Sequence, residues 1–258
     1  MSYALITGAS SGIGYELTQL FAKNGNDLVL VSRQSEILQK MADDLKGKYD
    51  IEVLVFPADL GNHGVANEIY KELTEKSIIV KYLINNAGYL VKGEFKSTNW
   101  EDEQKLIQMQ CITYTELTKL LFPSMLAQNT GGILNVGSTG SFVPGPYSAI
   151  YCAAKSFVLS FTEALAEEVK GTGVHITALC PGRTNTPFHK DRSTKRSIFL
   201  SMMEPAKVAE MSYMAFMKGK RLVVPGFGNK LQIFFTRIVP RRIIVRTSGK
   251  ILAKQLIK

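Results

Sequence analysis

At 258 residues, 45% hydrophobic and 21% charged, the chain suits one α/β domain with a full core and is short for two. Its net charge of +9 is local: residues 229–258 hold eight basic and no acidic residues, leaving 23 basic against 22 acidic in the rest. A neutral body without a recognition motif excludes a nucleic-acid partner, and three scattered cysteines (Cys111, Cys152, Cys180) without a CxxC pair exclude a disulfide framework and give a metal site no support.

Ala4–Thr7 reads as a short apolar strand that begins too early to leave room for a leader peptide. A glycine-rich turn leads into an amphipathic helix, Tyr15–Lys23, with Gly25 placed to cap its C-terminus. Asp27–Ser32 is a strand apolar on both faces, as in a parallel sheet covered on each side. Helical periodicity over Ser35–Lys46 precedes a strand at Glu52–Phe56. A helix over Val65–Lys76 precedes a strand at Tyr82–Ile84. One long helix is predicted over Trp100–Ala127, then a strand at Ile133–Val136. Helix Ala149–Lys170 leads to strand Val174–Cys180, and Arg221–Val224 is the last strand. No run of about 18 apolar residues is present, so no bilayer span is expected. Strand and helix alternate with short connections and no linker. This predicts a single-domain, Rossmann-like, doubly wound parallel sheet of about seven strands, with helices on both faces and a helical C-terminal extension. The domain is placed at 1–228, including a lid around 188–215, and the extension at 229–258.

The first strand-to-helix turn is Thr7-Gly8-Ala9-Ser10-Ser11-Gly12-Ile13-Gly14. Glycines here permit a tight turn and close backbone approach, and the helix N-terminus then faces a pyrophosphate. The spacing GxxxGxG departs from GxGxxG, so position rather than pattern carries the reading. Ser32-Arg33 follows the second strand. An acidic residue there would accept from the ribose of NAD, whereas Arg33 suits a 2′-phosphate and favours NADP(H). The alternative is a solvated surface arginine.

Tyr151 and Lys155, at i and i+4, share a helix face, and Ser138 lies just past a strand end, where such sheets bind ligands. Reducing a ketone by hydride transfer needs a proton donor at the developing alkoxide. A neighbouring ammonium and an oxidised nicotinamide are expected to pull a phenol from pH ~10 toward neutrality. Ser138 would then polarise the carbonyl oxygen. A Tyr-x-x-x-Lys pair also occurs as surface decoration, and the coincidence with Ser138 and the glycine turn is what argues for catalysis.

With TGASSGIG (Thr7–Gly14), Asp59-Leu60, NNAG (Asn85–Gly88), Ser138 with YCAAK, and Pro181-Gly182 leading to Thr186, the chain resembles the short-chain dehydrogenase/reductase family over nearly its whole length. The resemblance implies a cofactor site built from Gly8, Ser10, Ser11, Gly12, Ile13, Gly14, Ser32, Arg33, Asp59 and Leu60. Asn86, Ala87, Gly88, Tyr151, Lys155, Pro181, Gly182, Thr184 and Thr186 complete it. Asp59 is expected on the adenine, Thr186 and its neighbours on the carboxamide, and Lys155 on the nicotinamide ribose. Arg33 matches the position typical of NADP-preferring members, while their second basic position, in the turn, is Ser11 here. Members usually carry an asparagine that completes a proton relay to the lysine. Counting back from Pro123 puts Gln110 there, flanked by Met109 and Cys111, so the relay is displaced, slowed or rebuilt around another water. The resemblance also implies a homodimer or homotetramer formed through the long helices.

Phe142, Val143, Pro144 and Tyr147, with Tyr89, Leu90 and Phe188, are placed to wall a pocket for a small-molecule carbonyl or alcohol of apolar character, or to pack under loops. His189, Lys190, Asp191 and Arg192 fall in the lid, and His63 and His175 read as structural or surface residues. In the tail, Phe234, Phe235, Ile238 and Val239 alternate with arginines. This suits an anionic membrane surface, or packing of the tail on the body or a second subunit. The cysteines point to the cytoplasm, and the tail to a peripheral membrane location within it. Two functions stand against each other: an NADP(H)-dependent carbonyl reductase, and an NADP(H)-binding module of low turnover at a membrane surface or in redox sensing.

Overall fold

Period-two alternation sends successive strand side chains to opposite faces, and that alternation builds the two cores of this protein. In the computed structural model, which describes residues 2–186 and 202–253, the strands are β1 (Tyr3–Thr7), β2 (Asp27–Ser32), β3 (Val53–Pro57), β4 (Val80–Asn85), β5 (Gly131–Val136), β6 (Val174–Leu179) and β7 (Leu222–Val223). They form one parallel sheet in the order β3-β2-β1-β4-β5-β6-β7. Ala4, Ile6, Leu28, Leu30 and Ile84 face one core. There they meet Leu17 and Phe21 of α1 (Gly12–Lys23), Leu38 and Leu45 of α2 (Ser35–Lys48), and a helix near the C-terminus. Leu5, Val29, Val31 and Leu83 face the other, against Ile69 of α3 (Val65–Glu75) and helices further along the chain. Strand order reverses between β1 and β4, so the crevice at their C-terminal ends is the topological switch point where such sheets bind ligands.

Three features depart from expectation. The predicted helix over 100–127 is broken into α4 (Trp100–Ile107), a π-turn at Gln108–Thr113 and α5 (Tyr114–Ala127). The long helix α6 (Ala149–Glu168) then precedes β6. Pro205–Met217, most of it assigned from sequence to the lid around 188–215, is a helix, α7, with one face in the core. Proline stands in its first turn, and Phe216 is buried beside Phe21 and Tyr82. The tail is helical as expected, in two helices, α8 (Phe227–Ile238) and α9 (Arg241–Ala253), separated at Pro240. Against the reading of no bilayer span, α6 is long and apolar enough by length and composition to cross one. It nevertheless packs on β5 and β6 and buries Lys155, as the core helix of a sheet does.

Candidate active site

The end of β1 is fastened to the end of β4 by one hydroxyl. Thr7 Oγ1 donates to the Ile84 carbonyl (3.1 Å) and accepts from the backbone N–H groups of Asn86 (2.9 Å) and Ala87 (3.1 Å). Asn86 Nδ2 donates back to the Thr7 carbonyl at 2.9 Å. This leaves no room for a side chain at Gly8 or Gly14. Gly8 has φ +66, and a Cβ there would lie 2.9 Å from Ala87 Cα; one on Gly14 would lie 2.2 Å from the Gly8 carbonyl oxygen. Ser11 caps α1 in an extended conformation without a side-chain hydrogen bond. At Gly8, Gly12 and Gly14 the backbone is thus bare of side chains under a helix N-terminus, a cradle that fits a pyrophosphate. Ser10 and Ile13 belong to the same turn, and a Cβ on Gly12 would lie 3.0 Å from Thr186 Cγ2, which brings Thr186 across the crevice.

Around this turn the other predicted binding residues gather. Ser32 ends β2 and accepts from the Gln34 backbone N–H (3.2 Å), while Arg33 beside it is exposed and forms no ion pair among the described residues. Asp59 Oδ1 accepts from the Gly61 N–H (3.0 Å), and the carbonyl of buried Leu60 accepts from Thr113 Oγ1 (2.9 Å). The Pro181 carbonyl accepts from the Thr139 N–H (2.9 Å), joining Pro181-Gly182 to the turn after β5. Thr184 is buried and donates to the Gly182 carbonyl (3.2 Å), and its own carbonyl accepts from the Thr186 N–H (2.8 Å).

Ser138 stands where β5 ends, capping a short 3-10 turn (Thr139–Phe142), with its Oγ accepting from the Gly140 N–H at 3.0 Å. Tyr151 on the first turns of α6 hydrogen-bonds with the Ser138 side chain. One turn on, Lys155 is 3% exposed; its Nζ donates to the Val136 carbonyl at 2.7 Å and sits 5.9 Å from the centre of the Tyr151 ring. Burial pushes the phenol up to about 12, with the Ser138 hydrogen bond pulling the other way, and lowers the ammonium to about 8. The sequence reading expected the lysine to bring the phenol down. Burial outweighs that pull, so the net shift of the phenol is upward.

Gln110 lies on the π-turn, wholly buried, and neither Nε2 nor Oε1 has a hydrogen-bond partner among the described residues. It sits against Gly88, where a Cβ would lie 2.7 Å from Gln110 Nε2 and 3.7 Å from Lys155 Nζ. The position counted from Pro123 is therefore beside the lysine. The π-turn has no signature in the sequence; it turns Gln110 and Thr113 inward while Tyr114, buried, donates to the Ala87 carbonyl. Sequence reasoning gave no role to Thr7 or to the buried chain from Asn85 Nδ2 to Asn135 Oδ1 (2.8 Å) and from Asn135 Nδ2 to Thr162 Oγ1 (3.0 Å).

The walls expected for the pocket divide. Val143 and Pro144 line a cleft of about 550 Å³ with Pro146, Cys152, Ala153 and Arg241. Phe142 instead packs with Leu159, Cys180, Val224 and Ile233 beneath α8. Tyr89 donates to the Asp102 carbonyl, and the Tyr147 carbonyl accepts from the Gly93 N–H (2.9 Å), tying together the two loops above the crevice. Phe188, His189, Lys190, Asp191 and Arg192 lie outside the described residues.

A glycine turn at the switch point of a parallel sheet, under a helix N-terminus, defines a dinucleotide-binding α/β protein. Residues 2–197 match the short chain dehydrogenase family, and the chain belongs to it, a family of oxidoreductases that bind nicotinamide cofactors and act on small molecules. Rat 17-beta-hydroxysteroid dehydrogenase type 3 is 32% identical over 197 residues, covering 75% of this chain and 63% of that protein. The chain spans under two thirds of such relatives' length. Among solved structures, a short-chain dehydrogenase from Sphingobium yanoikuyae in complex with NADPH is 30% identical over 88% of each chain, with a TM-score of 0.80. A 7beta-hydroxysteroid dehydrogenase shares the fold over 96% of each chain with a TM-score of 0.88, at 24% identity. Structures of this fold hold NADPH in some cases and NAD in others.

Proposed function

We propose that the protein is an NADP(H)-dependent reductase of apolar carbonyls, working as a cytoplasmic homo-oligomer. The convergence of Ser138, Tyr151 and Lys155 at the C-terminal end of β5 carries this reading, because a binding module needs no such set. The bound cofactor supplies hydride to the carbonyl carbon. Tyr151 gives its proton to the oxygen as negative charge develops there, and Ser138 donates a hydrogen bond to the same oxygen. Lys155 holds a positive charge beside the phenolate that Tyr151 becomes. The names of the rat relative and of the Sphingobium NADPH complex support an apolar substrate and the phosphorylated cofactor. The test is loss of NADPH absorbance with a panel of apolar ketones, diketones and 3-oxoacyl thioesters. NADPH binding without turnover across that panel would favour the binding module, the reading that the unpartnered Gln110 amide supports.

Arg33 is exposed, without an ion-pair partner among the described residues, at the edge where a ribose phosphate would lie. A charge-assisted fork is worth about 1.5–3 kcal/mol, so Arg33→Ala is expected to raise KM for NADPH about 10- to 100-fold and leave KM for NADH unchanged. Equal effects on both cofactors would remove Arg33 from phosphate recognition.

Gln110 is a positioning residue. Gln110→Leu removes a buried amide without partners, so Tm is expected to hold or rise. With the amide gone, kcat is expected to fall about tenfold, short of the ~10²–10⁴ that a direct proton donor supplies, and the pH profile to shift. Gln110→Asn is expected to restore most of the rate. A Leu variant with the kcat and pH profile of the native protein would show the amide to be packing alone.

A further inference from the structure

A helix that packs on its own domain turns its apolar stripe inward. α8 does the opposite. Phe227, Leu231, Phe234, Phe235 and Ile238 are all exposed, the first by 81%, and at 3.6 residues per turn they fall within about 100° of arc. The single buried residue of the helix, Ile233, points the other way, into the cluster with Leu159, Cys180 and Val224. α9 has no buried residue. It exposes Ile243, Thr247 and Ile251 in one row and Arg242, Arg246 and Lys250 in the row beside it, each spaced by four. With Lys230, Arg237 and Arg241 these two helices carry six cations and no acid, and none forms an ion pair among the described residues. The orientation is held from beneath: Asn229 Nδ2 donates to the Pro225 carbonyl (2.7 Å), and a Cβ on Gly249 would lie 3.3 Å from Pro146.

We infer that the outward face of α8 and α9 docks on an anionic lipid bilayer, with the aromatic stripe in the headgroup boundary and the cations on lipid phosphates. Apolar stripe and positive charge together are the chemistry of an interfacial helix. A second copy of the chain would complete the apolar stripe equally well, but a two-fold contact sets each patch against its own twin. Here that brings unrelieved positive charge against positive charge, which disfavours the pairing. Lipid phosphates reverse the sign. Arg241 belongs both to this face and to the cleft beside Pro144, so the docked surface and the cleft are neighbours. The inference does not depend on the reductase reading.

The experiment is flotation of the full chain with phosphatidylcholine vesicles, with and without phosphatidylglycerol, at low and high salt. Two variants accompany it: Phe234→Ser with Phe235→Ser and Ile238→Ser, and Arg242→Gln with Arg246→Gln and Lys250→Gln. Thermal unfolding and light scattering are recorded for each. Expected is binding to the phosphatidylglycerol vesicles only, weakened by salt and reduced tenfold or more in both variants at unchanged Tm. Absence of binding to anionic vesicles overturns the inference, as does full binding by the serine variant. Dissociation of a native oligomer by that variant overturns it too, since the stripe is then a contact between copies.

Discussion

Tyr151→Phe is expected to slow reduction of any carbonyl the protein accepts by about 10²–10⁴-fold, the contribution of a positioned general acid, while NADPH binding and Tm stay close to native. One oxygen is removed. The ring keeps its place on α6, and Ser138 Oγ retains its bond from the Gly140 N–H, so the loss of stability is about 1 kcal/mol, that of one net hydrogen bond. The direction of the phenol's shift adds a second readout. With its ordinary value pushed up to about 12, the proton of Tyr151 is in place throughout neutral and mildly alkaline pH. Reduction should therefore not be limited by loss of the Tyr151 proton and should slow only as Lys155 loses its charge above a pH of about 8, whereas oxidation of an alcohol, which needs phenolate, should accelerate. Initial rates in both directions for the native protein and the Phe variant check this. A Phe variant that retains more than a tenth of native turnover would assign the proton to another group.

The parts of this site legible in the sequence are those fixed by backbone necessity. Gly8 and Gly14 are readable because the turn leaves no space for a Cβ, and Tyr151 with Lys155 because one helical turn must bring them to one face. The sheet was equally legible, since strands such as DLVLVS can be apolar on both faces only when covered on both. Other features depend on neighbours distant in the chain. The π-turn that carries Gln110 is held by Thr113 on the Leu60 carbonyl, a partner 53 residues away, and its segment reads as uninterrupted helix. α7 escaped because PAKVAEMSYMAFM scatters apolar residues around the helix, exposed Met214 and Met217 among them, which blurs the one face that Val208, Ala209, Ser212 and Phe216 bury. Phe142 shows the same limit at one side chain: its place after Ser138 suggested a pocket wall, and α8, over 80 residues further on, turns it into packing. The upward shift of the phenol was not legible because a pair in sequence does not reveal that both groups are buried together.

Desolvation makes Lys155→Met the sharper test of the site. Burial lowers the ammonium from 10.5 to about 8, so at neutral pH the folded protein carries its charge at a cost of roughly 3 kcal/mol, at about 1.4 kcal/mol per pKa unit. Methionine removes that cost and fills similar space, but it strands the Val136 carbonyl, which now accepts from Nζ at 2.7 Å, at about 1–3 kcal/mol. The two nearly cancel, so Tm is expected to move by a few degrees at most. Activity is not expected to survive so well. At 5.9 Å from the ring and an effective dielectric near 20, the ammonium stabilises a forming phenolate by roughly 3 kcal/mol, or about 10²-fold in rate. Linkage gives the comparison a pH signature. Because the folded value lies below the unfolded one, the unfolded chain binds more protons between about pH 8 and 10.5, and stability from this group rises with pH across that window. The methionine variant lacks this rise. Unfolding followed from neutrality to mildly alkaline pH should therefore show the native protein gaining on the variant, and parallel curves would mean that Lys155 carries no buried charge to lose.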